Sequence, residues 1–243
     1  MTYLWNKKTA QWDVYITQPS FGIKEPKTNL VGSFDLEIEA IAGSQVARQM
    51  LKLNIPTNHP ARDIWDTIYV KDVKEIKSLV LRPHTSPMQI RIMENNKPPI
   101  RVVIPGKCYR YEATDNTHEW HFHQIEGLVI DKNINFSNMK STLFEFARII
   151  FGDDTKARFR CDFFPFVEPG AEMSINFKKN EWLELMGAGM VHPKVLLNVG
   201  LDPEIYSGFA FGLGIERAAM IKYGIENIRD FYANDYQFLK QFK

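Results

Sequence analysis

Residues 100–131 read IRVVIPGKCYRYEATDNTHEWHFHQIEGLVID. Three segments of it, 100–104, 107–112 and 122–131, are dense in β-branched and aromatic residues and are parted by Pro105-Gly106 and by the polar stretch 113–121. That texture predicts strands joined by turns. Segments 158–163, 171–177 and 181–186 have the same character further along. Two helices interrupt the series. One follows Ser137 as its N-cap, carries Met139, Leu143, Phe146 and Ile150 on one stripe and stops at Gly152. The other spans 213–223 and stops at Gly224. Strands that follow one another without a helix between each pair predict an antiparallel sheet, hence an α+β fold rather than a doubly wound one.

Before residue 100 the patterns are weaker. Residues 1–34 hold Pro19, Gly22, Pro26 and Gly32 and predict a loose arm or short hairpin. In 35–53, Ile38, Ile41, Val46 and Met50 recur at roughly helical spacing, against the presence of Gly43. Residues 54–60, NIPTNHP, form a turn-rich connector.

Composition excludes several classes. Of the 243 residues, 44% are hydrophobic and 24% charged, so the chain can bury a core and is not mainly disordered. Thirty Lys and Arg against twenty-nine Asp and Glu give +1, so any polyanion must be gripped locally. Two cysteines, Cys108 and Cys161, make no disulfide framework and fit a reducing, cytoplasmic setting. No run approaches the ~18 apolar residues of a membrane span.

Four constellations can carry chemistry. Arg110 and Glu112 stand at i and i+2, as do Gln124 and Glu126. If their strands form a hairpin, one sheet face gathers all four, either as a solvated outer face with cross-strand ion pairs or around a polar ligand. The loop between adds His118 and Glu119. Second, GLGIER at 212–217 lacks the third glycine of a dinucleotide fingerprint and the ending of a phosphate loop. Its glycines at a strand-to-helix junction and Arg217 in the first turn suit a polyphosphate, or else tight packing with Arg217 in a salt bridge. Third, HTSPMQIR at 84–91 is a surface turn capping the next helix through Thr85 or Ser86, or a cluster of ligand-binding groups. Fourth, FFPFVEP at 163–169 is a core strand or the lining of a pocket for a flat ring. His118, His121 and His123 sit too close together for a zinc site, and neither cysteine belongs to a CxxC pair. Cys108 is a small core residue in this reading.

The order of five segments says more than any one of them. HTSPMQIR, PGKCYRYEATDNTHEWHFHQIEGLVID, FFPFVEPGAE, WLELMGAGMVHPKVL and SGFAFGLGIERAAMIKYGIENIRDF together resemble the catalytic core of the bacterial phenylalanyl-tRNA synthetase α-subunit family, a branch of the class II aminoacyl-tRNA synthetases. The likeness starts near Asn54, with NIPTNHPARDIWDT, and runs to the end, which implies a catalytic domain over 54–243. Residues 1–53 form a divergent N-terminal part that matches neither the family's helical arm nor its first motif.

The resemblance implies a class II synthetase-like antiparallel sheet flanked by helices, and roles for single residues. Arg110 resembles the arginine that holds the α-phosphate of ATP, Glu112 the glutamate beside the adenine, and Arg217 the clamp on the γ-phosphate, so that Arg110 and Arg217 are the catalytic pair. His118 would meet the phosphates, Phe122 would stack on the adenine, and Gly214 would lie against the nucleotide. His84, Ser86, Gln89, Gln124 and Glu126 would hold the polar end of phenylalanine, Phe164 and Phe166 its ring, and Val167 and Ala210 the pocket bottom. Glu168 would contact magnesium. The implied reaction is ATP-dependent activation of L-phenylalanine and its transfer to tRNA(Phe), with Mg2+, by a cytoplasmic α₂β₂ enzyme that needs a β subunit. The alternatives are a shortened paralogue that makes an adenylate for another acceptor, and a non-catalytic ligand-binding module.

Overall fold

In the computed structural model, residues 49–56, 59, 68, 81–176 and 181–242 are described in full, together with the backbone of the strands at 2–6, 11–17 and 28–34. A six-stranded, wholly antiparallel sheet organises the larger part. Its strands are β4 (Ile100–Tyr109), β5 (His121–Asp131), β6 (Lys156–Cys161), β7 (Val167–Asn176), β8 (Trp182–Val191) and β9 (Ser207–Gly214), in the order β4-β5-β9-β8-β7-β6. The α+β expectation holds. Segments 100–104 and 107–112 are one strand, not two, and that strand ends at Tyr109. Pro105 does not break it because β4 lies at the sheet edge, where a residue without an N–H costs the ladder little. Of strand β9 only the end was expected, as the strand-to-helix junction at its last glycines. Its glycine-rich run, SGFAFGLG, hides its strand character.

The N-terminal expectation is corrected. Strands β1 (Thr2–Asn6), β2 (Gln11–Thr17) and β3 (Thr28–Phe34) pair antiparallel in sequence as a three-stranded sheet. The sequence signal was Trp12, Val14 and Ile16 recurring at every second position. Of the helix expected over 35–53, only 49–53 fall among the described residues; 49–52 are helical and Leu53 is in the turn that follows. Residues 35–48 lie outside them.

Five helices are described beyond that turn: α1 (Pro87–Asn95), α2 (Phe136–Phe151), α3 (Pro193–Asn198), α4 (Ile215–Tyr223) and α5 (Tyr236–Lys240). The N-cap of α2 is Asn135, not Ser137, which lies inside the first turn. Asn135 and Asn138 each accept the other's backbone N–H, at 3.1 and 2.9 Å, a reciprocal cap that a serine two residues later cannot make. Gly152 ends α2, and Gly224 ends α4 in the left-handed region at φ 71°. Leu213 and Gly214, expected in that helix, finish β9 instead. No helix among the described residues is long and apolar enough to cross a membrane.

The two sheet faces are covered differently, and this positions the site. On one face, Phe209, Leu213, Met173 and Ile175 pack under Met139, Leu143 and Ala147 of α2. On the other, Leu128, Ile130 and Ala210 pack with Ile90 and Met93 of α1, Leu53 and Ile55. Along this second face β5 changes chemistry. Leu128 and Ile130 are apolar and fully buried, whereas Phe122, Gln124 and Glu126, at the same alternation, floor a cavity.

Candidate active site

The cavity has a volume of about 770 Å³, in the range of small-molecule sites. Its floor is β5 and β9, its walls are the turn before α1, the loop 110–119, the turn 163–167 and the first turn of α4. Every residue singled out for ATP or phenylalanine lines it: His84, Ser86, Gln89, Arg110, Glu112, His118, Phe122, Gln124, Glu126, Phe164, Phe166, Val167, Ala210, Gly214 and Arg217.

One end is built around a buried carboxylate. Glu126 is 2% exposed and accepts from the hydroxyls of Thr85 and Ser86, both at 2.9 Å, and from Gln89 Nε2. Burial pushes its carboxyl up to about 6, although these three donors pull the other way. Ser86 is the N-cap residue of α1 yet makes no side-chain cap, because its hydroxyl is spent on Glu126. The capping alternative for this turn is therefore not what the structure shows. Gln124 reaches into the cavity over Gly212, where a Cβ would come within 2.3 Å of its Nε2. Two buried polar atoms here, Gln89 Oε1 and His84 Nδ1, have no partner among the described residues. Burial, then the Arg110 charge, lower His84 to about 4, so its imidazole is neutral at pH 7.

Beside this end stand two aromatic rings. Phe164 and Phe166 are stacked at 6.1 Å with 28° between planes, and Phe166 lies 5.8 Å from the His84 ring. They occupy a turn before β7, not a core strand, and Phe163 next to them is 78% exposed. Val167 and the small Ala188 and Ala210 complete this wall.

The other end is cationic. The Arg110 guanidinium lies 4.9 Å from the Phe122 ring centroid, its Nε donates to the Pro83 carbonyl at 3.0 Å, and Glu112 is 3.6 Å away. Arg217 is half-buried, and among the described residues it forms no ion pair and the salt-bridge alternative is not realised. A Cβ on Gly214 would stand 3.5 Å from Arg217 Cβ and 4.0 Å from Phe122 Cδ2, which ties these three positions together. His118 sits on the loop with its Nδ1 3.0 Å from Asp115. Hydrogen bonds from Thr117 and His118 hold the Asp115 carboxyl well below the usual carboxylate range.

Glu168 is the one expected residue outside the cavity lining. Its carboxylate is 74% exposed and pairs with His192 Nε2 at 3.2 Å. The cavity carboxylates are others. Glu172 is paired with Arg160 at 2.8 Å, and Glu184 has no ion pair among the described residues. Neither was singled out, although the alternation Glu172, Ser174 against Ala171, Met173, Ile175 marks a polar face on β7. Thr85 was expected only as a helix cap, and Glu216 only as a neighbour of Arg217. The three histidines part company: His118 bonds Asp115, His121 packs between Trp120 and Tyr232, and His123 binds Glu216. Cys108 is fully buried and its thiol is pushed up to about 11, chiefly by burial, which makes it an inert core residue.

Comparison with known proteins places this arrangement. The family described as "tRNA synthetases class II core domain (F)" matches residues 33–242. The phenylalanine–tRNA ligase alpha subunit of Dehalococcoides mccartyi is 55% identical over 203 residues, covering 78% of this chain and 59% of that protein. Those of Caldicellulosiruptor bescii and Proteus mirabilis are each 52% identical, over 202 and 191 residues, covering 79% of this chain and 58% and 57% of their own. The chain thus spans about three-fifths of the length of the curated relatives it matches. Among solved structures, a pyrrolysyl tRNA synthetase from Desulfitobacterium hafniense superposes with a TM-score of 0.53 over 77% of this chain and 59% of that one, at 17% identity, a likeness of fold.

Proposed function

The chain belongs to the class II tRNA synthetase core-domain family, and from that premise we propose that it is the catalytic part of a phenylalanine–tRNA ligase alpha subunit. Catalysis is assigned to residues 54–243. The observation that carries this reading is the meeting, in one cavity, of two arginines from distant segments with a buried carboxylate and a phenylalanine pair.

Each end of the cavity suits one substrate. An ammonium group needs acceptors, and Glu126, Gln124 and the unpartnered Gln89 Oε1 offer them. The neutral His84 adds no competing cation. Phe164 and Phe166 suit an aromatic ring, and Val167 and Ala210 limit its length. Ala210 brings no hydrogen-bonding group, so the hydroxyl of tyrosine would be desolvated without a partner. At the cationic end, Phe122 supplies a stacking face for adenine, with Glu112 beside it. Arg110, His118 and Arg217 receive the phosphates, and Gly214 lets the triphosphate approach the backbone.

In the reaction, a carboxylate oxygen of phenylalanine attacks the α-phosphorus of ATP. The bond from that phosphorus to the bridging oxygen breaks, and pyrophosphate departs with the electron pair. A hydroxyl of the ribose at the tRNA(Phe) 3′ end then attacks the acyl carbonyl, the bond from that carbon to the phosphate oxygen breaks, and AMP leaves with the hydroxyl's proton. Little proton transfer is asked of the protein in the first step. Its work is alignment by the two end pockets and neutralisation of developing charge by Arg110 and Arg217.

Magnesium fits the donor set. Mg2+ is commonly held by one or two carboxylates together with phosphate oxygens. Glu184, which has no ion pair among the described residues, and Glu172 beside it, paired with Arg160, would be the carboxylates that hold it on the cavity wall. The ion would neutralise phosphate charge and orient the leaving group. Glu168, outside the cavity lining and paired with His192, remains a candidate magnesium contact. A β subunit in an α₂β₂ assembly, tRNA(Phe) and a cytoplasmic location complete the proposal.

The test is phenylalanine-dependent ATP–pyrophosphate exchange by the chain co-purified with a β subunit. Exchange with phenylalanine, but not tyrosine, is expected. Absence of both exchange and ATP binding overturns the assignment. Exchange without charging of tRNA(Phe) favours an adenylate-forming paralogue that serves another acceptor.

A further inference from the structure

One cavity carboxylate has no part in the chemistry above. Glu216, 6% exposed, adjoins Arg217 in the first turn of α4. Its two oxygens accept from the His123 backbone N–H at 3.0 and 2.9 Å. Oε1 also lies 2.7 Å from His123 Nδ1 and accepts from the Tyr232 hydroxyl at 2.6 Å. An unsatisfied carboxylate at this place would compete with phosphate for Arg217 and repel a triphosphate. Saturated as it is, its charge is spread over three donors and Arg217 is left free of it.

Tyr232 does not act alone. It lies at the end of a segment that touches the nucleotide end at several points. The Ile228 N–H donates to the Asn116 carbonyl at 2.8 Å, and Arg229 Nε is 3.5 Å from Glu119 Oε2. The Tyr232 ring is centred 4.4 Å from that of His121. Asn116 and Glu119 flank His118, and His121 and His123 flank Phe122. One stretch of chain thus grips the loop that carries His118, the strand start that carries Phe122 and, through Glu216, the helix turn that carries Arg217.

Building on the ATP site described above, we propose that Tyr232 is a positioning residue for the nucleotide. Through Glu216 it fixes Arg217 relative to Phe122, and residues 228–232 act as a latch on the loop 113–121. The phenylalanine end lies beyond its reach, since no hydrogen bond from the latch is made to Glu126, Gln124 or Gln89 among the described residues.

The experiment compares Tyr232→Phe and Glu216→Gln with the wild-type chain, each with its β subunit. Loss of a hydrogen bond to a charged group predicts a KM for ATP raised about tenfold in pyrophosphate exchange. KM for phenylalanine stays within about twofold of wild type, since sites without shared partners behave independently. Amide hydrogen exchange in 113–123 speeds up in both variants. Wild-type KM for ATP together with unchanged amide exchange overturns the proposal, as does an equal rise in both KM values, which marks general loosening. A wild-type enzyme devoid of exchange activity instead sinks the ATP assignment itself, and the amide measurement then judges the latch on its own.

Discussion

A Cβ placed on Gly187 would stand 2.9 Å from Cζ of the Phe164 ring. The glycine leaves the space into which that ring settles on the cavity wall. Gly187→Ala is therefore expected to push Phe164 toward the substrate. Overpacking of this kind costs about 1–3 kcal/mol, which corresponds to a rise in KM for phenylalanine of roughly five- to one-hundred-and-fortyfold. KM for ATP should not move, because Phe122 and Arg217 are held by other contacts. Steady-state pyrophosphate exchange at saturating ATP reads the first value, and at saturating phenylalanine the second.

Much of this arrangement was legible in the sequence, for reasons that differ by element. Strands β5 and β7 announce themselves because each has one polar and one apolar face near the cavity, and alternation survives in the residue order. Strand β9 did not, because three glycines replace side chains that would mark it. Two of them make room for partners that only the fold brings together: Gly212 for Gln124, and Gly208 for the backbone of β5. Arg110 and Arg217 could be proposed as partners only through resemblance, since nothing in their spacing says that they meet. The shared donors of Glu126 were likewise invisible as a set. Thr85, Ser86 and Gln89 look like a capped helix start until the third dimension turns the hydroxyls away from the helix. Glu168 and Glu184 show the converse. Both are plausible magnesium ligands by residue type, but only the sheet register puts Glu184 on the cavity wall.

Glu126 sets a conflict between stability and binding. Its carboxyl is raised from 4.5 to about 6, so the protonated form is the one the fold favours. The stability contributed by a raised acid is present in full below its unfolded value and is lost as pH climbs through about 6. At pH 8 the loss is of order 2 kcal/mol. Glu126→Gln should thus be at least as stable as wild type to urea at pH 8 and lose this advantage at pH 4. In the wild type, affinity for phenylalanine should fall as pH drops below about 6, because the protonated acid no longer attracts the ammonium. In Glu126→Gln affinity should be weak throughout and lack that step. Calorimetric titration with phenylalanine from pH 5 to 8 gives the comparison, and a wild-type profile without the step removes Glu126 from the ammonium site.

Arg217, on the cavity wall, and Arg160, outside the cavity lining, should behave oppositely. Arg217 pairs with no described carboxylate, so Arg217→Ala strands no partner among the described residues. Its melting temperature is expected within about 2 °C of wild type, while ATP binding weakens roughly ten- to hundredfold. Arg160 pairs with Glu172, which is 8% exposed. Arg160→Ala leaves that carboxylate short of a charged donor and should cost about 1–3 kcal/mol in denaturant unfolding. Paired thermal melts and ATP titrations separate the two. Equal destabilisation by both substitutions would mean that Arg217 has a structural partner after all.

Ala210 is 3% exposed, faces Leu128 across β5 and β9, and belongs to the cluster against which Phe166 packs. A single methyl group closes the cavity there. Ala210→Gly removes it without adding polarity, so a chlorine or bromine at the para position of phenylalanine gains room. A methylene-sized change in an apolar pocket is worth about 1–3 kcal/mol, so discrimination against para-chloro-phenylalanine should relax by roughly ten- to two-hundredfold. Tyrosine should profit less, because its hydroxyl still finds no partner in an apolar wall and keeps the desolvation cost. Ratios of kcat/KM in pyrophosphate exchange for phenylalanine, para-chloro-phenylalanine and tyrosine measure both effects. If para-chloro-phenylalanine remains rejected as in the wild type, the ring does not point at Ala210, and the amino acid lies in the cavity the other way round.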